Sequence, residues 1–180
     1  MSFKFTAKQQ EAQKHLGGLA TWIMLFGGGR SGKTFIAVRT IIVRALKAPG
    51  SRHLITRFRF NHLKASIISD TFPKVMALCF PDVKGWEPNK TDWVSKFPNG
   101  TEIVFAGLDD KLRLDKVLGS EYATIYLNEC SQISFEARET VKTRAAQLVD
   151  QETTGGGKRP LPIRMYYDWN PTNKGHWVHK

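Results

Sequence analysis

The sequence predicts an α/β fold: a mainly parallel central sheet flanked by helices on both faces. Three observations carry this expectation. Short apolar runs recur at 22–26, 53–56, 123–127 and 163–167. Each is too short for a helix, and such runs suit strands buried on both faces. Segments of helical period lie between them. A glycine-rich turn leads from the first run straight into a long helix, the order of a strand–turn–helix unit in a parallel sheet.

The elements follow in chain order. Residues 5–16 read as a short helix, with Thr6 as its N-cap. Trp22-Ile23-Met24-Leu25-Phe26 is the first strand, expected to be buried on both faces. After the turn at 27–33 comes a helix over 34–47. Phe35, Val38, Ile41, Ile42 and Leu46 form its apolar face, and Pro49-Gly50 close it. A short strand is expected at 53–56 and helical spacing runs over 61–79. Residues 93–97 and 101–106 read as a hairpin around Asn99-Gly100. A buried strand at 123–127, an amphipathic helix over 135–149, a flexible loop at 153–160 (TTGGGKRP) and a strand at 163–167 complete the chain before the turn Asn170-Pro171.

The 180 residues, 41% hydrophobic and 24% charged, suit one domain spanning 1–180. No apolar run approaches the ~18 residues of a membrane span, so no membrane partner is expected. The opening MSFKFTAKQQ lacks the apolar core of a signal peptide. Cys79 and Cys130 form no motif, which favours a reducing, intracellular compartment. Lysine and arginine number 27 against 16 acidic residues, a net charge of +11. A chain this basic favours a nucleic-acid partner over a basic enzyme without one, because binding phosphates releases counterions. The basic residues are spread along the chain, as on a folded surface rather than a disordered arm.

The strongest motif is Gly27-Gly28-Gly29-Arg30-Ser31-Gly32-Lys33-Thr34, which fits G-x-x-x-x-G-K-[ST] at every fixed position. Its glycines let successive N–H groups turn toward a phosphate, and the following helix N-terminus adds positive potential. Lys33 is placed to reach the β- and γ-phosphates of ATP, and Thr34 to offer its hydroxyl to Mg²⁺. Arg30 lies where a guanidinium can stabilise transition-state charge; otherwise it is a solvated arginine. The strand at 123–127 ends in Asn128-Glu129. Glu129 suits the base that polarises the attacking water. Asn128 stands where an aspartate is normal. Its amide still accepts a hydrogen bond from a metal-bound water but removes one negative charge, so weaker Mg²⁺ binding or slower turnover is expected. Asp168 offers an alternative source of that charge. Asn170 is either a sensor of the γ-phosphate or a turn-former before Pro171. Gln9 is either an adenine-reading amide or a surface helix residue. These elements predict a P-loop NTPase of the ASCE, RecA-like type.

In this order they resemble the ATPase domain of the large terminase subunit of tailed bacteriophages and prophages. The resemblance spans about residues 5–180. It rests on 27–34 with its arginine before Ser-Gly-Lys, on Leu118-Gly119 ahead of Ile125-Tyr126-Leu127-Asn128-Glu129, and on Asn170-Pro171 followed by His176-Trp177. Phe5-Thr6-Ala7-Lys8-Gln9 is similar to the family's adenine-reading motif. The departure is Asn128. The resemblance implies an ATP- and Mg²⁺-dependent motor that drives double-stranded DNA into a procapsid in the host cytoplasm. It implies a homo-oligomeric ring, a portal protein and a small terminase subunit as partners, and coupling through Asn170. Arg113, Arg138 and Arg144 are candidates for an arginine acting on a neighbour's site. The family's C-terminal nuclease domain is expected to be absent from these residues, and the abrupt end at Lys180 suggests a fragment. The competing readings are a helicase-like ATPase and an ATP-binding, DNA-binding module with little turnover. Metal binding by His176 and His179 and a nucleophilic Cys130 are weaker readings that no neighbouring ligand or base supports.

Overall fold

The computed structural model describes residues 4–109, 111–170 and 176–179. Six strands form the main sheet, in the order β1-β8-β5-β2-β4-β3. They are β1 (Trp22–Phe26), β2 (Arg52–Arg57), β3 (Val94–Lys96), β4 (Glu102–Gly107), β5 (Thr124–Leu127) and β8 (Arg164–Trp169). All neighbours are parallel except the edge pair β3–β4. Side-chain alternation along the central strands builds two cores, one per face. Ile55, Tyr126 and Tyr166 join Ile36, Ile41 and Phe72 on one side. Leu54, Ile125, Leu127, Met165 and Tyr167 join Val117 and Val141 on the other. Helices α1 (Ala7–Gly17), α2 (Lys33–Lys47), α3 (Phe60–Leu63) and α4 (Phe72–Cys79) contribute to the first core. Helices α5 (Lys111–Leu118) and α6 (Phe135–Lys142) contribute to the second. The expected α/β architecture is therefore present. No helix among the described residues is long and apolar enough to cross a membrane.

Thr6 caps α1 as expected, and does so in a capping box. Its hydroxyl accepts from the Gln9 N–H, and Gln9 Oε1 accepts from the Thr6 N–H at 3.0 Å. The hairpin turns at Asn99-Gly100, with Gly100 at φ 80°. Four local expectations need correction. Strand β1 is not buried on both faces. Among the described residues it pairs with β8 alone, and while Ile23 is 6% exposed, Trp22, Met24 and Phe26 are 51%, 44% and 58% exposed. The continuous apolar run concealed an edge position. The helix over 61–79 contains eight π-helical residues, Lys64–Thr71, between α3 and α4. Pro73 follows, and it has no N–H to return to residue 69, so the ordinary ladder cannot pass it. The helix expected over 135–149 stops at Lys142. Beyond it, Arg144 C=O accepts from Tyr122 N–H, and Gln147 N–H donates to Tyr122 C=O, so the backbone serves a tertiary pairing instead. The loop at 153–160 instead contributes to a small antiparallel hairpin, β6 (Asp150–Glu152) and β7 (Lys158–Pro160).

Candidate functional site

Parallel strands point their C-terminal ends to one edge, and there β1, β8 and β5 lie side by side. The turn after β1 carries the glycine-rich loop. Gly27, Arg30 and Gly32 have φ of 157°, 60° and 82°, so the loop coils before α2 begins at Lys33. Lys33 Nζ lies inside the coil and donates to Gly27 C=O and Gly28 C=O, each at 2.8 Å, and to Ser31 Oγ at 3.2 Å. It also donates to Asn170 Oδ1 at 3.3 Å, tying the loop to the end of β8.

A cleft of about 440 Å³ opens over this loop, lined by Arg30, Thr34, Asp70, Glu129, Asp168 and Asn170 among others. A second, of similar volume, lies on the other side of the loop and is lined by Gln9, His15, Phe26 and Gly32. They share Ser31, Gly32 and Lys33. Gln9 is pressed against the loop: a Cβ on Gly32 would stand 2.4 Å from Gln9 Nε2. The amide therefore both caps α1 and borders the second cleft. Arg30 is exposed at the rim of the first.

The acidic side of the cleft is built by β5 and β8. Leu127 pairs with Tyr167, so Asn128 and Asp168 follow level with each other on adjacent strands. Asn128 is buried. Its Nδ2 donates to both Asp168 oxygens, at 3.0 and 3.2 Å, and to the Tyr126 hydroxyl at 3.2 Å. Its Oδ1 is buried with no hydrogen-bond partner among the described residues. Glu129 is left-handed, at φ 47° and ψ 51°, an uncommon state for a glutamate and one held by tertiary contacts. Its N–H donates to Asp168 Oδ1 at 2.7 Å. Its carboxylate accepts from Arg57 Nη2 at 2.8 Å and Gln132 Nε2 at 3.0 Å. Arg57, from the end of β2, also donates to Ser66 Oγ at 3.2 Å. Thr34 Oγ1 donates to Asp168 Oδ2 at 3.1 Å. Burial pushes the Asp168 carboxyl up from its ordinary value, against the hydrogen bonds it accepts.

The geometry thus brings together Arg30, Lys33, Thr34, Asn128, Glu129 and Asn170, with Gln9 beside them. It adds Arg57 and ties in Asp168, the alternative charge the sequence offered. Arg57 carried no motif, and only its position at the end of the central strand beside β5 brings it to Glu129. Asp168 was visible at a strand end, but its bonds to Thr34 and Asn128 needed the sheet order. The oxygen set of Thr34, Asn128 and Asp168 suits a hard divalent cation such as Mg²⁺. Asn128 Oδ1, without a partner among the described residues, is free to accept a hydrogen bond from a metal-bound water.

Other candidates lie elsewhere. Arg138 is buried, with its guanidinium over the rings of Trp22, Phe135, Tyr167 and Trp177 at 5.3–5.9 Å. Arg144 donates to Leu118 C=O at 3.1 Å. The side chains of Arg113 and His179 lie outside the described residues, as do Pro171–Gly175. Trp177 Nε1 donates to Ile133 C=O at 2.8 Å. Burial pushes the Cys130 thiol up to about 12, so it stays protonated at neutral pH.

Residues 20–180 match the family model described as phage terminase large subunit. No curated protein matches the chain. Among solved structures, the chain is similar to the large terminase from a thermophilic bacteriophage. The TM-score is 0.76 at 14% identity, over 98% of this chain and 42% of that one. The same phage protein in complex with ADP gives 0.72 at 14% identity, over 98% and 41%. The Thermus phage P74-26 large terminase ATPase domain gives 0.58 at 16% identity, over 90% and 64%. This chain therefore spans less than half the length of the thermophilic phage protein. At such identities the likeness is one of fold, and that fold is the P-loop NTPase fold.

Proposed function

This chain belongs to the phage terminase large-subunit family, and from that premise we propose that it is an ATP-hydrolysing motor domain that drives duplex DNA into a procapsid. The observation that most supports this is the convergence of three adjacent strand ends on one cleft, with the phosphate loop, Glu129 and Asn170 all on its wall. A relative of the same fold binds ADP.

On this reading, loop amides up to Thr34 cradle the β- and γ-phosphates. Lys33 exchanges the carbonyls of Gly27 and Gly28 for phosphate oxygens. Gln9 meets the base from the second cleft. The Thr34 hydroxyl and, through water, Asn128 Oδ1 would hold Mg²⁺ arriving with the nucleotide, which would offset phosphate charge. Glu129 takes a proton from the attacking water as its oxygen bonds to the γ-phosphorus. The bond from that phosphorus to the bridging oxygen breaks, and ADP leaves. Arg30, at the rim, offsets the charge developing on the γ-oxygens. Arg57 sets where the Glu129 carboxylate rests. Asn170 contacts Lys33, so loss of the γ-phosphate changes a bond that reaches the end of β8. The proposed setting is the cytoplasm of a bacterial host, in a homo-oligomeric ring with a portal protein and a small terminase subunit. DNA cleavage is not among the activities proposed for these 180 residues.

Fluorescent-nucleotide binding and single-turnover phosphate release test this. Lys33→Ala is expected to lose nucleotide binding. Glu129→Gln is expected to bind ATP as the wild type does and to hydrolyse it about 10²–10⁴-fold more slowly. Equal phosphate release by the wild type and Glu129→Gln would remove Glu129 as the base.

A further inference from the structure

We propose that the carboxylate of the magnesium site is Asp168, supplied from β8 to replace the charge that Asn128 lacks on β5. This rests on the ATPase reading above and deepens it.

Three contacts converge on this side chain. Thr34 Oγ1, the hydroxyl that the phosphate-loop motif assigns to the metal, already donates to Asp168 Oδ2 at 3.1 Å. The Asn128 amide donates to both Asp168 oxygens, which fixes its orientation. That orientation leaves Asn128 Oδ1 buried and without a partner among the described residues. The Glu129 N–H donates to Asp168 Oδ1 at 2.7 Å, so the same carboxylate braces the backbone of the proposed base. Sheet order explains why the position works. Strand β8 lies between β1, which leads into the phosphate loop, and β5, which leads into Glu129. Asp168 pairs with Leu25 on β1 and lies level with Asn128 on β5. A carboxylate there lines the cleft over the phosphate loop and stays in hydrogen-bond contact with position 128.

Electrostatics supports a cation at this point. Asp168 is 2% exposed. Among the described residues, the groups that donate to it, the Thr34 hydroxyl, the Asn128 amide, the Glu129 N–H and the Tyr126 hydroxyl, are all neutral. A buried carboxylate satisfied only by neutral donors is costly, and a divalent cation with its waters offsets that cost. The pair of Asn128 and Asp168 then acts as one unit: the acid supplies the charge and the amide supplies a second acceptor.

The test measures binding of a fluorescent ADP analogue to the 180-residue chain, in EDTA and across a magnesium titration. Mn²⁺ binding read by electron paramagnetic resonance provides a second signal. In the wild type, magnesium is expected to tighten nucleotide binding. In Asp168→Asn, the affinity in EDTA is expected to hold or improve, because a negative charge near the phosphates is gone. The magnesium midpoint is expected to rise by about 10- to 100-fold. A residue with only a structural role moves both affinities together or neither. Asn128→Asp/Asp168→Asn, which returns one carboxylate to the pair, is expected to restore the midpoint toward wild type. It decides the question should the single variant not fold: a restored midpoint supports the proposal, and a midpoint still raised about tenfold or more overturns it. An unchanged midpoint in Asp168→Asn, or a wild type indifferent to magnesium, overturns this proposal alone. Unchanged nucleotide binding by Lys33→Ala overturns the ATPase reading beneath it.

Discussion

Gly32 sits at φ 82° with the Gln9 amide against its open side. The flexible Gln9 end could swing away from an added Cβ, but the backbone could not escape left-handed strain. If the loop wraps phosphates as proposed, binding holds it in this conformation and the strain falls on the bound state. Gly32→Ala is therefore expected to weaken nucleotide affinity by about tenfold, the ~1–2 kcal/mol of that strain, measured by calorimetric titration with ADP. Wild-type affinity in this variant would show that the loop binds in another conformation. Most residues of the site were legible one at a time. Lys33, Thr34 and the glycines stand out because their spacing matches G-x-x-x-x-G-K-[ST] at every fixed position. Arg57 was not legible, since its role comes from a neighbour 72 residues away at 2.8 Å.

Strand β2 shows what a buried element imposes on its side chains. His53 is fully buried on this central strand, its Nε2 2.8 Å from Ser51 Oγ and its Nδ1 without a hydrogen-bond partner among the described residues. Burial lowers its pKa from 6.5 to about 3, with the positive Arg44 adding to the effect. The unfolded chain thus binds a proton below pH 6.5 that the folded chain refuses until about pH 3. Stability from this group is flat above that window and falls as pH drops through it, by about 2 kcal/mol at pH 5. Urea unfolding at pH 7 and pH 5 checks this: His53→Gln should flatten the difference, and an equal slope in both proteins would refute it. At this scale the sequence also erred in informative ways. Trp22–Phe26 reads as a doubly buried strand because apolar composition does not say which side of a sheet is open. The helix after Phe135 ends early because Arg144 and Gln147 pair with Tyr122, a contact that no local period encodes.

Across the whole molecule, the excess of 27 basic over 16 acidic side chains is the feature most relevant to a polyanionic partner. If duplex DNA is that partner, log affinity falls linearly with log salt, by about 0.9 per phosphate contacted. Raising NaCl from about 50 to about 200 mM is expected to cost tenfold or more in affinity for a short duplex, read by fluorescence anisotropy. Affinity insensitive to salt would argue against DNA as the partner.

The sequence by itself determined the α/β class, the glycine-rich loop after β1 and the acid at the end of β5. These depend on local spacing and on residue types that few other structures tolerate in that order. Only the tertiary structure decided that β8 lies between β1 and β5, and with it that Asp168 meets Thr34, Asn128 and the Glu129 amide. Strand order is fixed by how crossover helices pack on both faces. Residues 134 and 40 positions apart in the chain become hydrogen-bond partners only after that packing is complete.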